Sequence, residues 1–204
     1  MVFVILIDRL REFCKKSNEN IKKISRHDRG KDYWIERKKL TDEEIKSIYG
    51  KNQPERYEEW FAKYLVDMDD EYNYLGEIIN YQIPIKSKQD DGAGKIDLLS
   101  YNKKSGILYL IELKQRENKT DTMLRSILEI CTYYYQIDRE QLKKELLEKN
   151  ICPTIENIQK VVIVFKNSVQ HKQYIESELI RKLADELNVA VFIIENKVSI
   201  NKVE

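Results

Sequence analysis

Three polar side chains interrupt two apolar runs near the middle of the chain. Asp97 stands within Gly94-Lys-Ile-Asp-Leu-Leu99, and Glu112 and Lys114 close the run Ile107-Leu-Tyr-Leu-Ile-Glu-Leu-Lys114. Side chains alternate along an extended strand, so Glu112 and Lys114 emerge on one face while Leu113 packs on the other. The intervening Asn102-Lys-Lys-Ser-Gly106 is turn sequence. A hairpin centred between Lys104 and Ser105 brings Asp97 opposite Glu112, whereas a bulge at Gly106 shifts the pairing by one residue. In the first register two carboxylates and an ammonium converge on one patch of sheet. Two buried carboxylates without compensation are costly, and a divalent cation is the natural remedy.

The chemistry that suits such a patch is phosphodiester hydrolysis. Mg²⁺ (or Mn²⁺) takes oxygen ligands and keeps sites for water and phosphate oxygens. Asp97, Glu112 and the backbone carbonyl of Leu113 are the candidate ligands. A metal there activates water and stabilises charge on phosphorus, and Lys114 orients that water or holds the developing charge. Spacing alone carries little, because Glu-x-Lys also occurs at Glu36/Lys38, Glu44/Lys46, Glu117/Lys119 and Glu195/Lys197. The copy at 112/114 has an apolar strand beneath it, an aspartate on the adjoining strand and a helix after it.

Gly94-x-x-Asp97 followed by Glu112-x-Lys114 at the end of an apolar strand resembles the core motif of the PD-(D/E)XK nuclease superfamily. The resemblance covers roughly the stretch from Pro54 to Ile194. It implies a restriction-endonuclease-like αβββαβ core, a metal-dependent nuclease activity with Asp97, Glu112 and Lys114 as catalytic residues, and often a further Glu on the helix before the three strands. Glu58, flanking the apolar face of that helix, is the expected residue, with Glu77 on the first strand as the fallback. Exonuclease-like members carry Gln-x-x-x-Tyr on the following helix. Here the stretch is Glu129-Ile-Cys-Thr-Tyr133, and the Glu at its head departs from that subgroup. Arg125, Glu129 and Tyr133 step by four and form one stripe, with Arg125 expected on phosphate. Lys95, Lys103, Lys104, Arg116 and Lys119 are candidate contacts to a nucleic-acid backbone.

The elements that must position these groups follow from periodicity. Tyr57, Trp60, Phe61, Tyr64, Leu65 and Met68 recur at helical spacing. Strands are expected at Leu75–Ile85, Gly94–Tyr101 and Ile107–Lys114. A long helical region follows, opening at Thr120 or Asp121 as N-cap and running to about Lys149 with a break near Asp138. Val161–Phe165 and Val189–Ile194 read as strands covered on both faces, joined by a helix over Gln170–Leu187. The expected fold is a mixed α/β (α+β) sheet flanked by helices, with an antiparallel meander in the middle and parallel pairing at the end. Residues 1–53 read as a charged, largely helical extension and 54–204 as the nuclease-like domain. The extension has a helix at Ile7–Lys16 and another at Thr41–Tyr49, where Thr41 and Glu44 form a capping box.

Composition narrows the choices. The 204 residues carry a formal net charge of +1, so no global basic signature marks a polyanion binder. Residues 1–50 hold 13 Lys/Arg against 9 Asp/Glu, a modest local excess. Three widely spaced cysteines and two histidines exclude a four-cysteine cluster, a zinc ribbon and, in practice, a histidine triad. No apolar run approaches the ~20 residues that span a bilayer, and a cytoplasmic protein is expected. The expected partner is nucleic acid, DNA before RNA, with pairing into a homodimer as an option. Two other readings stand beside the nuclease. One is a nuclease-fold module that binds nucleic acid or protein without turnover. The other is an interaction domain whose 13 tyrosines serve a protein interface.

Overall fold

A sheet built in strict chain order organises the molecule. The structure is a computed structural model in which residues 12, 15–16, 19–20, 31–48, 57–68, 70–85, 94–116, 121–195 and 199–203 are described. Helix α1 spans Asp42–Ile48 and α2 spans Tyr57–Asp67. Strands β1 (Glu71–Tyr72), β2 (Gly76–Pro84), β3 (Lys95–Asn102) and β4 (Ile107–Lys114) follow. Then come α3 (Met123–Gln136), α4 (Arg139–Glu148), β5 (Asn157–Phe165), α5 (Val169–Glu176), α6 (Glu178–Glu186), β6 (Val189–Ile194) and β7 (Ile200–Lys202). The seven strands lie side by side from β1 to β7. β1 to β4 are antiparallel neighbours, β4, β5 and β6 run parallel, and β7 returns antiparallel. The fold is mixed α/β, with six helices among the described residues.

The two faces of the sheet bury separate apolar layers. Leu108 and Leu110 of β4 join Ile127, Ile130, Leu142, Leu146 and Leu183 on the face covered by α3, α4 and α6. Ile111 and Leu113 join Phe61, Ala62 and Leu65 on the face covered by α2. Alternation along β4 therefore holds, and Glu112 and Lys114 belong to the α3 side. Each fully buried leucine contributes about 1.5–3 kcal/mol, and a one-residue slip of β4 would exchange its two faces and turn Glu112 and Lys114 into the apolar layer under α2.

The β3–β4 hairpin keeps the register without the bulge shift, pairing Asn102 with Ile107 and Leu98 with Ile111. Its turn is held by Asn102 Oδ1, which accepts from the backbone N–H of Lys104 and Ser105 at 3.0 and 3.1 Å. Gly106 takes φ +65°, where a side chain would be strained.

Several boundaries differ from the expectations. The N-cap of α3 is Thr122, whose side chain accepts from Arg125 N–H, because the Asp121 carboxylate is drawn to two cations instead. The break near Asp138 is a second cap: Asp138 accepts from the N–H of Glu140 and Gln141 and starts α4. The helix expected over Gln170–Leu187 divides at Ser177, whose hydroxyl caps α6. The short edge strands β1 and β7 carry no apolar alternation that would announce them. Thr41 and Glu44 form the capping box of α1, with Thr41 N–H on Glu44 Oε2 at 2.8 Å. The stretch 31–40, assigned from sequence to the extension, runs along the body of the fold. Tyr33 is fully buried, and Glu145 receives the N–H groups of Tyr33 and Trp34 at 2.6 and 3.1 Å. The helix expected at Ile7–Lys16 lies largely outside the described residues, as do Thr120 and Lys119.

Candidate functional site

The end of β4 carries the charge. Glu112 is 4% exposed and Lys114 5%, and the Lys114 ammonium lies 2.7 Å from Glu112 Oε1. The same ammonium reaches Glu129 Oε2 at 3.0 Å and Asp121 Oδ2 at 3.4 Å. Arg125 stands outside this group and closes it. Its Nε donates to Glu129 Oε1 at 2.9 Å, and its Nη1 to Asp121 Oδ1 at 2.8 Å. Asp97 enters from β3: its Oδ2 accepts the Leu113 N–H at 2.8 Å and its Oδ1 accepts Gln82 Nε2 at 3.1 Å. Glu58 enters from α2, where its Oε1 accepts the Gln115 N–H at 2.9 Å. Three carboxylates thus pair with two cations, and Asp97 and Glu58 add two more acids held by neutral donors.

The imbalance registers in protonation. Burial raises Asp97 to about 7, with the charges of Glu58 and Glu129 adding to it against the Leu113 N–H and Lys114. Glu112 is raised well above its ordinary value by burial and by Asp97, and the Lys114 ion pair only partly offsets this. Burial works against the Lys114 charge, yet Glu112 and Glu129 outweigh it and hold the lysine protonated. The lysine thus stays charged, while the two core carboxylates repel each other more than one ammonium can relieve. Glu112 Oε2 is buried with no hydrogen-bond partner, and an orphaned carboxylate oxygen at such depth is costly.

These residues suit a hard cation by donor type. Mg²⁺ commonly takes one or two protein carboxylates and fills its remaining sites with water and phosphate oxygens. Asp97 and Glu112 are two such groups, and the unpartnered Glu112 Oε2 is an available donor. Among the described residues, no three or more His, Cys, Asp or Glu side chains gather as a preformed metal cluster.

Of the remaining candidates, Tyr133 lies at the site. Its ring packs on the backbone of Gly94, where a Cβ would come within 2.2 Å of the hydroxyl, so any side chain there would displace the ring. Burial, together with Glu112 and Glu129, raises the Tyr133 phenol. Arg125 is exposed on the outer side. Lys95 is exposed at the start of β3, and Arg116 is exposed beyond β4 with its guanidinium 5.6 Å from the Phe165 ring centroid. Glu77 sits at the opposite end of β2, paired with Glu71 and Tyr101; α2 supplies the nearby acid instead. Lys103 and Lys104 are also far from the motif, because they form the closed end of the hairpin and the acids lie at its open end. Lys104 pairs with Glu71.

Two members escaped the sequence reading. The sequence offers Asp121 only as a cap candidate, although stepping back four residues from Arg125 along the same stripe reaches it. Gln82 was unmarked: it is a single amide in an apolar strand, and its backbone φ of +50° has no sequence signature. Comparison of the chain with models of known families, with characterised proteins and with solved structures gives no match to any of them.

Proposed function

We propose that the chain is a Mg²⁺- or Mn²⁺-dependent nuclease that hydrolyses phosphodiester bonds, with DNA as its substrate. The observation that carries this reading is the gathering of Asp97 and Glu58 beside three carboxylates already paired with Lys114, with a buried oxygen of Glu112 left unpartnered. After the two-residue edge strand β1, the order of α2, antiparallel β2, β3 and β4, two helices and parallel β5, with acids on β3 and β4 and a lysine two residues on, supports a restriction-endonuclease-like core of the PD-(D/E)XK kind.

A metal bound there would lower the pKa of a water and neutralise charge on the phosphate. Asp97, Glu112 and the Leu113 carbonyl are the groups to hold it, with Glu58 beside them. Asp97 is fixed by two hydrogen bonds and so has little freedom to lose on binding. Lys114 is kept charged by its acidic neighbours, and that charge serves to orient the attacking water or to meet the negative charge that develops on the phosphate oxygens. Arg125 is exposed at the rim beside this group and is placed to meet the substrate backbone. Lys95 and Arg116 are exposed near it and have the charge to do the same.

The test is degradation of linear, circular and single-stranded DNA, and of RNA, with and without Mg²⁺ or Mn²⁺, by the wild-type chain and by Glu112→Gln. Metal-dependent cleavage that the substitution removes supports the reading; equal cleavage by both would sink it. A second reading, a module that binds without cutting, is favoured by the three carboxylates that already engage Lys114. It predicts retarded migration of DNA on a gel with no products in any metal.

A further inference from the structure

Strand β2 changes face in mid-course. Tyr81 packs in the layer under α2, paired with Leu98, whereas Ile83, two residues on, packs in the opposite layer and pairs with Ile96. In a regular strand residues two apart share a face. The switch is made at Gln82, whose φ is +50°, a left-handed conformation that disfavours a residue with a Cβ. The other three non-glycine residues with positive φ among those described are Asn150, Asn167 and Asn188. Asparagine tolerates that region because its short amide bonds locally. At position 82 the chain carries the amide one methylene longer, and that amide reaches Asp97 Oδ1 at 3.1 Å.

The distorted backbone is held from outside the sheet. Arg37, from the stretch before α1, donates through Nη2 to the carbonyls of Tyr81 and Gln82 at 2.6 and 3.0 Å, and through Nε to Asn80 Oδ1 at 3.1 Å. Its guanidinium lies 4.4 Å from the Tyr81 ring centroid. Asn80 is fully buried and donates to the Ile35 carbonyl at 3.2 Å. The carbonyls of Tyr81 and Gln82 are therefore both met by one arginine.

We infer that Gln82 is a positioning residue for the metal centre: it fixes the Asp97 carboxylate, and Arg37 fixes Gln82 by holding the carbonyls of Tyr81 and Gln82. This rests on the reading of Asp97 and Glu112 as metal ligands. It gives the stretch 33–40 a function at a site to which it contributes no ligand. Partners that orient a ligating carboxylate typically govern affinity by 10–100-fold.

The experiment is calorimetric titration of Mn²⁺ into the full chain, with thermal melting of each metal-free variant. Gln82→Gly keeps the left-handed backbone at ease and removes only the amide. Gln82→Asn keeps both the tolerance and an amide but shortens the reach. Both are expected to weaken Mn²⁺ binding about tenfold, and Gln82→Gly to melt no lower than wild type. Arg37→Ala is expected to weaken binding alone, but to add nothing in the Gln82→Gly background, since it acts through the same residue. Wild-type affinity in both Gln82 variants, with Asp97→Asn still losing Mn²⁺, overturns the positioning role and leaves the centre standing. A wild-type chain that takes up no Mn²⁺ overturns both.

Discussion

Lys114 and Lys160 are buried in neighbouring strands and held by different chemistry. They are 5% and 8% exposed. In the parallel register of β4 and β5, Lys160 lies beside Leu110 and Lys114 beside Val164, so their rows are separated by roughly 13 Å at about 3.3 Å per residue. Lys114 faces three carboxylates. Lys160 lies over the rings of Tyr134 and Tyr135, 4.9 and 5.8 Å from their centroids. Arg139 approaches the same two rings at 4.2 and 5.7 Å. The Lys160 end opens into a cleft of about 980 Å³, whose lining also includes Tyr174, Arg181 and Lys202. That cleft is on the side of the molecule where cations meet aromatic faces. A tyrosine face attracts a cation through its quadrupole and adds no net charge, so the rings hold Lys160 without neutralising it. At the Lys114 end the acids outnumber the cations, and the surplus is what a divalent ion would neutralise.

The sharpest break between the two ends is expected in catalysis. Glu112→Gln is expected to lower metal-dependent DNA cleavage by at least about 100-fold, the scale seen when charge stabilisation at a reacting phosphate is lost. Lys160→Met is expected to leave the rate within about twofold. Initial rates on one linear substrate, with circular dichroism to check folding, decide the matter. If Lys160→Met proves as damaging as Glu112→Gln, the contrast drawn from their surroundings is wrong.

Stability gives the next contrast. Replacing Lys114 by Met leaves Glu112, Asp121 and Glu129 facing one another without the central ammonium. Removing one partner of a buried ion group costs about 3–5 kcal/mol, and urea unfolding at pH 7 without metal should show a loss of that order. A loss under about 1 kcal/mol would mean that the carboxylates relieve themselves by taking up protons.

That alternative has its own signature in pH. Asp97 titrates near 7 in the folded chain against an ordinary value of 3.8, and Glu112 is displaced in the same direction. Between about 4 and 7 the folded state therefore holds a proton that the unfolded state has released, and stability falls as pH rises through that window. Thermal melting of the metal-free chain should decline from pH 4.5 to 7.5 more steeply than in Asp97→Asn. Mg²⁺ should recover more stability at pH 7.5 than at pH 5, where protons compete with it. A flat profile that Asp97→Asn does not change would show that the carboxyls are ordinary.

Much of this end of the molecule was legible because strand alternation and turn chemistry are local. The spacing of Glu112 and Lys114 dictated a common face, and Asn102-to-Gly106 dictated a short turn, so the pairing of β3 with β4 followed. Glu58 followed from helical periodicity, since it flanks the apolar face of α2. What stayed hidden depends on partners distant in sequence. Thr122 rather than Asp121 caps α3 because Lys114, on another element, competes for the Asp121 carboxylate. Gln82 takes a left-handed backbone whose carbonyl accepts from Arg37, 45 residues earlier in sequence. Lys103 and Lys104 were misplaced for a simpler reason. Closeness in sequence to a motif is not closeness in space, because an antiparallel hairpin puts its turn at the end farthest from its termini.

The smallest expected effect falls on Lys160, and its smallness is the informative part. A lysine over two tyrosine rings gains about 0.5–2 kcal/mol from their quadrupoles, the upper end applying where water is excluded. Methionine has nearly the same length, fills the same volume and makes sulfur–aromatic contacts of about 0.3–1.5 kcal/mol with the same rings. It also removes the cost of keeping an ammonium out of water. These terms nearly cancel, so Lys160→Met should shift urea stability by no more than about 1 kcal/mol in either direction. For Lys114→Met there is no such cancellation, because methionine gives the surrounding carboxylates nothing in return. Measured in the same buffer, the two substitutions differ only in what surrounds the lost charge. A loss at Lys160 equal to that at Lys114 would mean that its ammonium is anchored chiefly by groups other than the two rings.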